Sequence, residues 1–379
     1  MTPARVVQAT ALAGLLLGLS ACSSSPSPPA SPPDRAQRLA TSTGALLPAA
    51  SPWLFMQDSR SGDAVWPSGA AYLLLHTEDG WRHVTNITPV AVPTGGGLTM
   101  AAASSELVVA ALPFDRLVVS PLLRGTSSGK SWSPEELPGG LTLARGSVAL
   151  GPRGVTAVLR ANAGTVVEKG QHNWNVLTEA SRLVPGGDIH LDALSWGVGG
   201  RGWLTGHGPA GSPMAFTTND SGRTWTAVVG LAPDAVAALP PCGSERTWTL
   251  PVVRARGTMS IATSVDSGAT WATGAALTLP LGLPAWGCHG QDVWMLGGAA
   301  NGGDHIYSSA NAGGTWADLG VAPHGVTDLA PTGDHAGFAT SVTAKGAILW
   351  AVRGDGASFS PVALPGWVTT VGKQTVPQN

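Results

Sequence analysis

The chain has 379 residues and a net charge of −2, from 21 basic and 23 acidic residues, with only 12% charged residues in all. Its Lys and Arg are scattered singly, which excludes the basic footprint that nucleic acid demands. Gly (51) and Pro (30) are abundant beside 43% hydrophobic residues, so the chain turns often between short apolar segments.

The N-terminus reads as an export signal. Arg5 precedes the apolar stretch Val6 to Leu19, which is too short to span a bilayer as a helix. It ends in Leu19-Ser20-Ala21-Cys22, and small residues before a Cys resemble the lipobox of bacterial lipoproteins. That resemblance implies cleavage after Ala21 and lipidation of Cys22, with the two-chain anchoring that stable membrane attachment needs. From Ser23 the chain is Ser- and Pro-rich, a composition that cannot bury apolar surface and stays extended. The expected organisation is a signal peptide over 1–21, a linker over 22–44 and a folded domain over 45–379. The domain is expected outside the cytoplasm, tied to the cell membrane or, since Ser23 rather than Asp follows the Cys, to an outer membrane.

Within that domain one phrase recurs. Asp220-Ser221-Gly222-Arg223-Thr224-Trp225, Asp266-Ser267-Gly268-Ala269-Thr270-Trp271 and Asn311-Ala312-Gly313-Gly314-Thr315-Trp316 place their Trp residues 46 and 45 residues apart. A fixed period of this size means one supersecondary unit copied along the chain. Weaker copies occur at Trp81, Trp132, Trp174 and Phe359, giving seven aromatic anchors. Each unit reads as four short strands; in one they fall at Ala235 to Leu239, Thr247 to Val253, Thr258 to Ser264 and from Trp271. A second aromatic register, Trp203, Trp248, Trp294 and Phe338, keeps the same period.

Four strands per unit of about 45 residues is the cue for a β-propeller. The phrase Ser/Thr-x-Asp-x-Gly-x-Thr-Trp resembles the Asp-box, or BNR repeat, of sialidase-type propellers. The resemblance implies an all-β fold of seven four-stranded blades, as in the photosystem II assembly factor family. It also implies a structural role for Asp220, Gly222, Thr224, Trp225, Asp266, Gly268, Thr270, Trp271, Asn311, Gly313, Thr315 and Trp316. The Asp would accept bonds across its own turn and the Gly would supply the positive φ. The tail from Gly366 has room for one more strand, expected to complete the first blade and remove an open edge.

Cys242 and Cys288 stand six residues before Trp248 and Trp294, in the same register of consecutive units. Equivalent positions of adjacent blades are neighbours, and an exported domain permits oxidation, so a Cys242–Cys288 disulfide is expected.

Chemistry is sparse. A sialidase needs a Tyr nucleophile and an arginine triad, but the chain has two Tyr, Tyr72 and Tyr307, each in a strand where a packing aromatic is expected. No spacing suits a metal site, and no phosphate loop or nucleophile elbow is present. The most suggestive polar runs are Asp188-Ile189-His190-Leu191-Asp192, whose polar side chains share one face if extended, and His324-Gly325-Val326-Thr327-Asp328. Asp188, His190, Asp192, His324 and Asp328 are therefore the candidate ligand site. The expected function is a non-catalytic binding or assembly scaffold, monomeric and without cofactor or metal, for a protein or carbohydrate ligand. A divergent sialidase-like glycosidase is the alternative.

Overall fold

The computed structural model describes residues 51–369, apart from 90–91, 94–97, 103–105, 112–121, 127, 136–146, 160–163, 171–172, 197, 229–233, 239–241, 244–246, 267, 282–283, 301, 334 and 355–357. Cys22, the signal and the linker lie outside the described residues. The described residues pair into seven antiparallel sheets, each built from consecutive strands. The fourth sheet shows the plan: His190–Trp196, Gly202–His207, Pro213–Thr218 and Thr226–Ala227, in that order. The fold is an all-β propeller of four-stranded blades. Its only α-helical pieces among the described residues are the single turns Ala180–Leu183 and Gly366–Thr369. No helix among the described residues is long and apolar enough to cross a membrane.

In the first sheet and in the third to the seventh, the second strand is the most buried. Trp248–Arg254 is buried at every position but its last, and Asp292–Gly298 at every position but its ends. Such a strand has neighbours on both faces and therefore reads as a continuous apolar run rather than an alternating one. Successive sheets pack face to face. Val253, Met259 and Ile261 of the fifth share a core with Val293 and Met295 of the sixth. Trp294 and Leu296 of the sixth pack with Leu329 and Ala339 of the seventh.

The ring closes where the seventh sheet meets the first. Leu54, Met56, Trp66, Leu75 and Trp81 of the first sheet share one core with Ala330, Phe338 and Leu349 of the seventh. Over Gly366–Thr369, the described part of the expected strand, no strand forms. Instead Gly366–Thr369 is a helical turn whose Val368 is fully buried in this seam, and the Ser68 hydroxyl donates to the Val368 carbonyl at 2.8 Å. The first sheet is already complete from its own strands, Trp53–Met56, Gly62–Ser68, Ala71–Thr77 and Thr85–Asn86, so no slot is left for a strand from the tail.

Cys242 and Cys288 form a disulfide with their Cα atoms 6.2 Å apart, joining the fifth sheet to the sixth.

Candidate functional site

Strands alternate in direction, so each ring face collects a fixed set of connections. The turn after the first strand and the turn between the third and fourth lie at one end. Backbone bonds between them mark that end: Gly80 N–H to Arg60 O at 2.7 Å, Ser221 N–H to Gly200 O at 2.8 Å and Ala312 N–H to Gln291 O at 3.0 Å. The repeated Asp turns all belong here.

Their chemistry is directed inward. The Asp266 carboxylate accepts the Thr270 hydroxyl at 2.6 Å, the Thr270 N–H at 2.9 Å and the Ser264 hydroxyl at 2.8 Å. Those bonds, the Thr270 hydroxyl first, hold its carboxyl down to about 2. Asp220 is also held at about 2: burial pushes it up, but the N–H and hydroxyl of Thr224 and the Thr218 hydroxyl outweigh that. Asn311 makes the same turn without charge, accepting the Thr315 N–H at 2.9 Å and donating to the Thr315 hydroxyl at 3.0 Å. The Trp225 and Trp271 indoles donate to the carbonyls of Gly222 and Gly268 at 3.1 and 3.2 Å, and Trp316 donates to Ala275 O of the preceding sheet at 3.0 Å. A carboxylate with its lone pairs committed to its own turn is no acid, base or ligand.

The first sheet carries a complete copy of this turn, in a register that the aromatic count misplaces. Thr77 and Asp79 stand where Thr218 and Asp220 do: the Thr77 hydroxyl bonds Asp79, and Asp79 accepts the His83 N–H at 2.9 Å. His83 therefore takes the Thr position, and Trp81 takes the place of Gly222. The Trp81 N–H donates to the Thr77 hydroxyl at 2.9 Å, as the Gly222 N–H does to Thr218. Trp81 even keeps the left-handed backbone, with φ 68° against 83° at Gly222. The residue in the true anchor position is Val84, so Trp81 is not the anchor that the sequence suggested.

The Asp188–Asp192 run lies at the opposite end, where the first strand of the fourth sheet begins. There His190 pairs across the sheet with His207, the last residue of the second strand. A bulge between Leu191 and Ala193 adds a residue to the first strand and turns Asp192 toward His207. Asp192 Oδ2 lies 2.8 Å from His207 Nδ1. The His190 and His207 rings stack at 5.2 Å, and His190 Nε2 lies 3.9 Å from Asp188 Oδ1. Three of the expected residues thus come together, around a His207 that the sequence reading missed. Its signal was positional: it ends a second strand, opposite the start of a first. The same logic finds Asp234 and Arg254 on the fifth sheet at the same end, joined at 2.8 Å, with the Arg254 bonds holding the Asp234 carboxyl below its usual range.

His324 and Asp328 are not part of this cluster. They belong to the seventh sheet, three sheets on from the fourth. His324 is exposed in a turn. Asp328 Oδ2 accepts the Leu54 N–H at 2.7 Å and Oδ1 the Leu329 N–H at 3.0 Å, so its carboxyl group is turned into the seam. Among the described residues, no group of three or more His, Cys, Asp or Glu is placed to hold a metal ion. Tyr72 is buried in the core between the first and second sheets. The Tyr307 ring lies over Gly297, where an added Cβ would be 2.9 Å away, and burial, then the charge of Asp318, raises its phenol. Neither Tyr has a nucleophile's setting.

No protein-family model matches the chain, and no curated protein matches it. Solved structures do. A GH74 xyloglucanase from Xanthomonas campestris aligns over 83% of this chain at a TM-score of 0.57 and 14% identity; this chain spans 53% of that one, about half its length. YCF48 bound to D1 peptide aligns over 81% of this chain and 93% of its own at 0.51 and 20% identity. YCF48 from Cyanidioschyzon merolae aligns over 78% and 94% at the same score and identity. At these identities what is shared is the fold, an all-β propeller of four-stranded blades.

Proposed function

We propose that the chain is a lipid-anchored Asp-box propeller of seven blades, one per sheet, that serves outside the cytoplasm as a non-catalytic scaffold holding a protein or carbohydrate ligand. In this reading the lipid sits on Cys22, the Ser/Pro-rich segment is a tether, and the ligand meets the end of the ring opposite the repeated turns. The observation that carries it is how the carboxylates are used. Asp220 and Asp266 are spent on their own turns, Asp192 on His207, Asp234 on Arg254 and Asp328 on two backbone N–H groups. Glycoside hydrolysis needs two carboxylates facing one bond. What the fourth and fifth sheets present at that end are imidazole and carboxylate groups on one and a guanidinium–carboxylate pair on the other, suited to hydrogen-bonding a polar ligand. The frame is rigid, and function on such frames lives in what does not repeat. Because YCF48 has been solved with a peptide, peptides are the first ligand class to test.

The test is in two arms. Membranes carrying the intact protein are cross-linked and its partners identified, with His190→Ala and His207→Ala as comparisons. Separately, the protein is assayed on chromogenic glycosides. Partners lost in the two His variants, with no turnover, support the scaffold. Turnover abolished by Asp188→Asn or Asp192→Asn would overturn it in favour of a glycosidase.

A further inference from the structure

The first strand of the first sheet begins at the end of the ring opposite the repeated turns. Trp53 pairs with Val65 and Met56 with Gly62, and Gly62 stands beside the turn whose Arg60 carbonyl accepts the Gly80 N–H. Met56 is therefore at the end of the repeated turns and Trp53 points away from it. The Ser/Pro-rich segment that follows Cys22 thus joins the ring at the end that also carries His190 and His207.

Exposed apolar side chains gather at the same end. Among the described residues five large ones are strongly exposed, and three of them stand here. Leu281 is 65% exposed, and its N–H donates to Asp304, the first residue of the third strand of the sixth sheet. Val321, 63% exposed, ends the fourth strand of that sheet, and the next N–H, of Ala322, donates to the Asp304 carbonyl. Trp367 is 43% exposed and precedes Val368, whose carbonyl accepts the hydroxyl of Ser68, the last residue of the second strand of the first sheet. Between the sixth sheet and the seam lies the seventh, whose hairpin at this end, from Thr343 to Gly346, exposes Lys345. Val265, beside Asp266, is at the other end, and Val176 lies within a fourth strand.

We propose that this side of the ring, from the sixth sheet to the seam of the seventh with the first, docks on the lipid surface that carries the anchor. The proposal rests on the reading of Cys22 as lipidated. Single exposed apolar residues are ordinary, but here three fall on neighbouring sheets at the end where the tether enters. An indole with an apolar body and a polar N–H suits a lipid–water boundary, and a Lys on its flexible stem reaches anionic headgroups. A flexible tether raises the effective concentration of this end at the surface to about millimolar, so a contact too weak to recruit a free protein is enough to orient a tethered one. The His190–His207 stack and the Asp234–Arg254 pair, on the fourth and fifth sheets, are then presented to a ligand that lies at the membrane surface.

The test uses the full chain in vesicles of phosphatidylcholine and phosphatidylglycerol that contain nitroxide-labelled lipid. Cys242 and Cys288 are joined and Cys22 carries the lipid, so an introduced Cys is the thiol that takes a fluorophore. Val321→Cys and Val265→Cys place the same fluorophore at the two ends of the ring. The lipid nitroxide should quench the fluorophore at 321 and leave that at 265 unquenched. Adding Leu281→Ser and Trp367→Ser should abolish the quenching at 321 while the chain still floats with the vesicles. A chain that floats but shows equal quenching at the two positions overturns the docking and leaves the anchor standing, as does quenching at 321 that survives the two Ser substitutions. An unmutated chain that does not float and takes the fluorophore on Cys22 overturns the anchor, and the docking with it. If the variant with both Ser substitutions fails to fold, the contrast between 321 and 265 still decides the proposal.

Discussion

Gly268 sits directly on Trp203. A Cβ added to Gly268 would lie 2.8 Å from Cη2 of that ring, although the two residues belong to adjacent sheets. The other repeated turns do the same: Gly222 faces Leu177 of the preceding sheet and Gly313 faces Ile261. The turn is thus a clasp between blades, and its glycine is fixed twice, by a φ of 92° and by the neighbour it rests on. Gly268→Ala should cost about 2–4 kcal/mol, the sum of left-handed strain and overpacking. Gly211 has a φ of 76° but open space around it, so Gly211→Ala should cost only the strain, about 1–2 kcal/mol. Denaturant melts of the two variants separate the terms; equal losses would mean that the contact with Trp203 contributes nothing.

At the seam the glycine is replaced by Trp81, and the clasp becomes a plug. Its ring is buried with Met56 and Leu75 of the first sheet and Ala330 and Phe338 of the seventh. Burying an indole is worth about 4–6 kcal/mol by area, more than the ~1–2 kcal/mol of holding a Trp at positive φ. Packing wins over backbone preference. Trp81→Gly, which restores the usual turn residue, should therefore lower stability, by about 2–4 kcal/mol once the relieved strain is subtracted. A melting temperature equal to or above that of the unmutated protein would show the plug to be dispensable.

This plug also shows where the sequence stops being legible. The period, the four strands per unit and the disulfide partners could be read because they repeat, and repetition survives the loss of individual residues. Trp81 misled because it stands three positions before Val84, the true equivalent of Trp225, and only the bonds of Thr77 and Asp79 reveal the register. The tail misled because Gly366-Trp367-Val368-Thr369 has strand-like composition, whereas its place was fixed by a pocket for Val368 that is visible only once the ring closes. The candidate site was half legible. Asp188, His190 and Asp192 were near one another in sequence, but His207, Asp234 and Arg254 reach the same end only through strand register. Asp328 looked like a ligand residue because sequence does not show which way a carboxylate turns.

The Asp turns make the fold acid-sensitive in a defined window. Asp220, Asp266 and Asp79 are each held at about 2, so their bonds contribute stability above the ordinary carboxylate value of 3.8 and lose it as pH falls through about 2. Asn311 shows that an uncharged residue can make the turn. Asp266→Asn should therefore fold normally at neutral pH and blunt the loss of melting temperature between pH 4 and pH 2, whereas Asp266→Ala should be destabilised at every pH. If Asp266→Asn melts like Asp266→Ala at neutral pH, the charge itself holds the turn and the Asn311 comparison fails.

The Cys242–Cys288 bridge joins two sheets that already share an apolar core, so its effect depends on what else holds the fifth sheet there. Cys242 lies in the two-residue strand Cys242–Gly243, which pairs with Trp248 and Thr249, and the Thr249 hydroxyl donates to its carbonyl at 3.0 Å. That strand lies off the main path of its sheet. Cys288 is in the first strand of the sixth sheet, packed against the same core. The two residues are 46 apart, a loop for which cross-linking removes about 4 kcal/mol of unfolded-state entropy at most. Reduction should lower the melting temperature by an amount corresponding to about 2–4 kcal/mol, and Cys242→Ser and Cys288→Ser should each reproduce it under non-reducing conditions. Because the inter-sheet core is built mainly from Val253, Met259, Ile261, Leu279, Val293 and Met295, all three forms should remain folded propellers. A melting temperature unmoved by reductant, with both thiols free to alkylation beforehand, would show that the bridge does not form in solution.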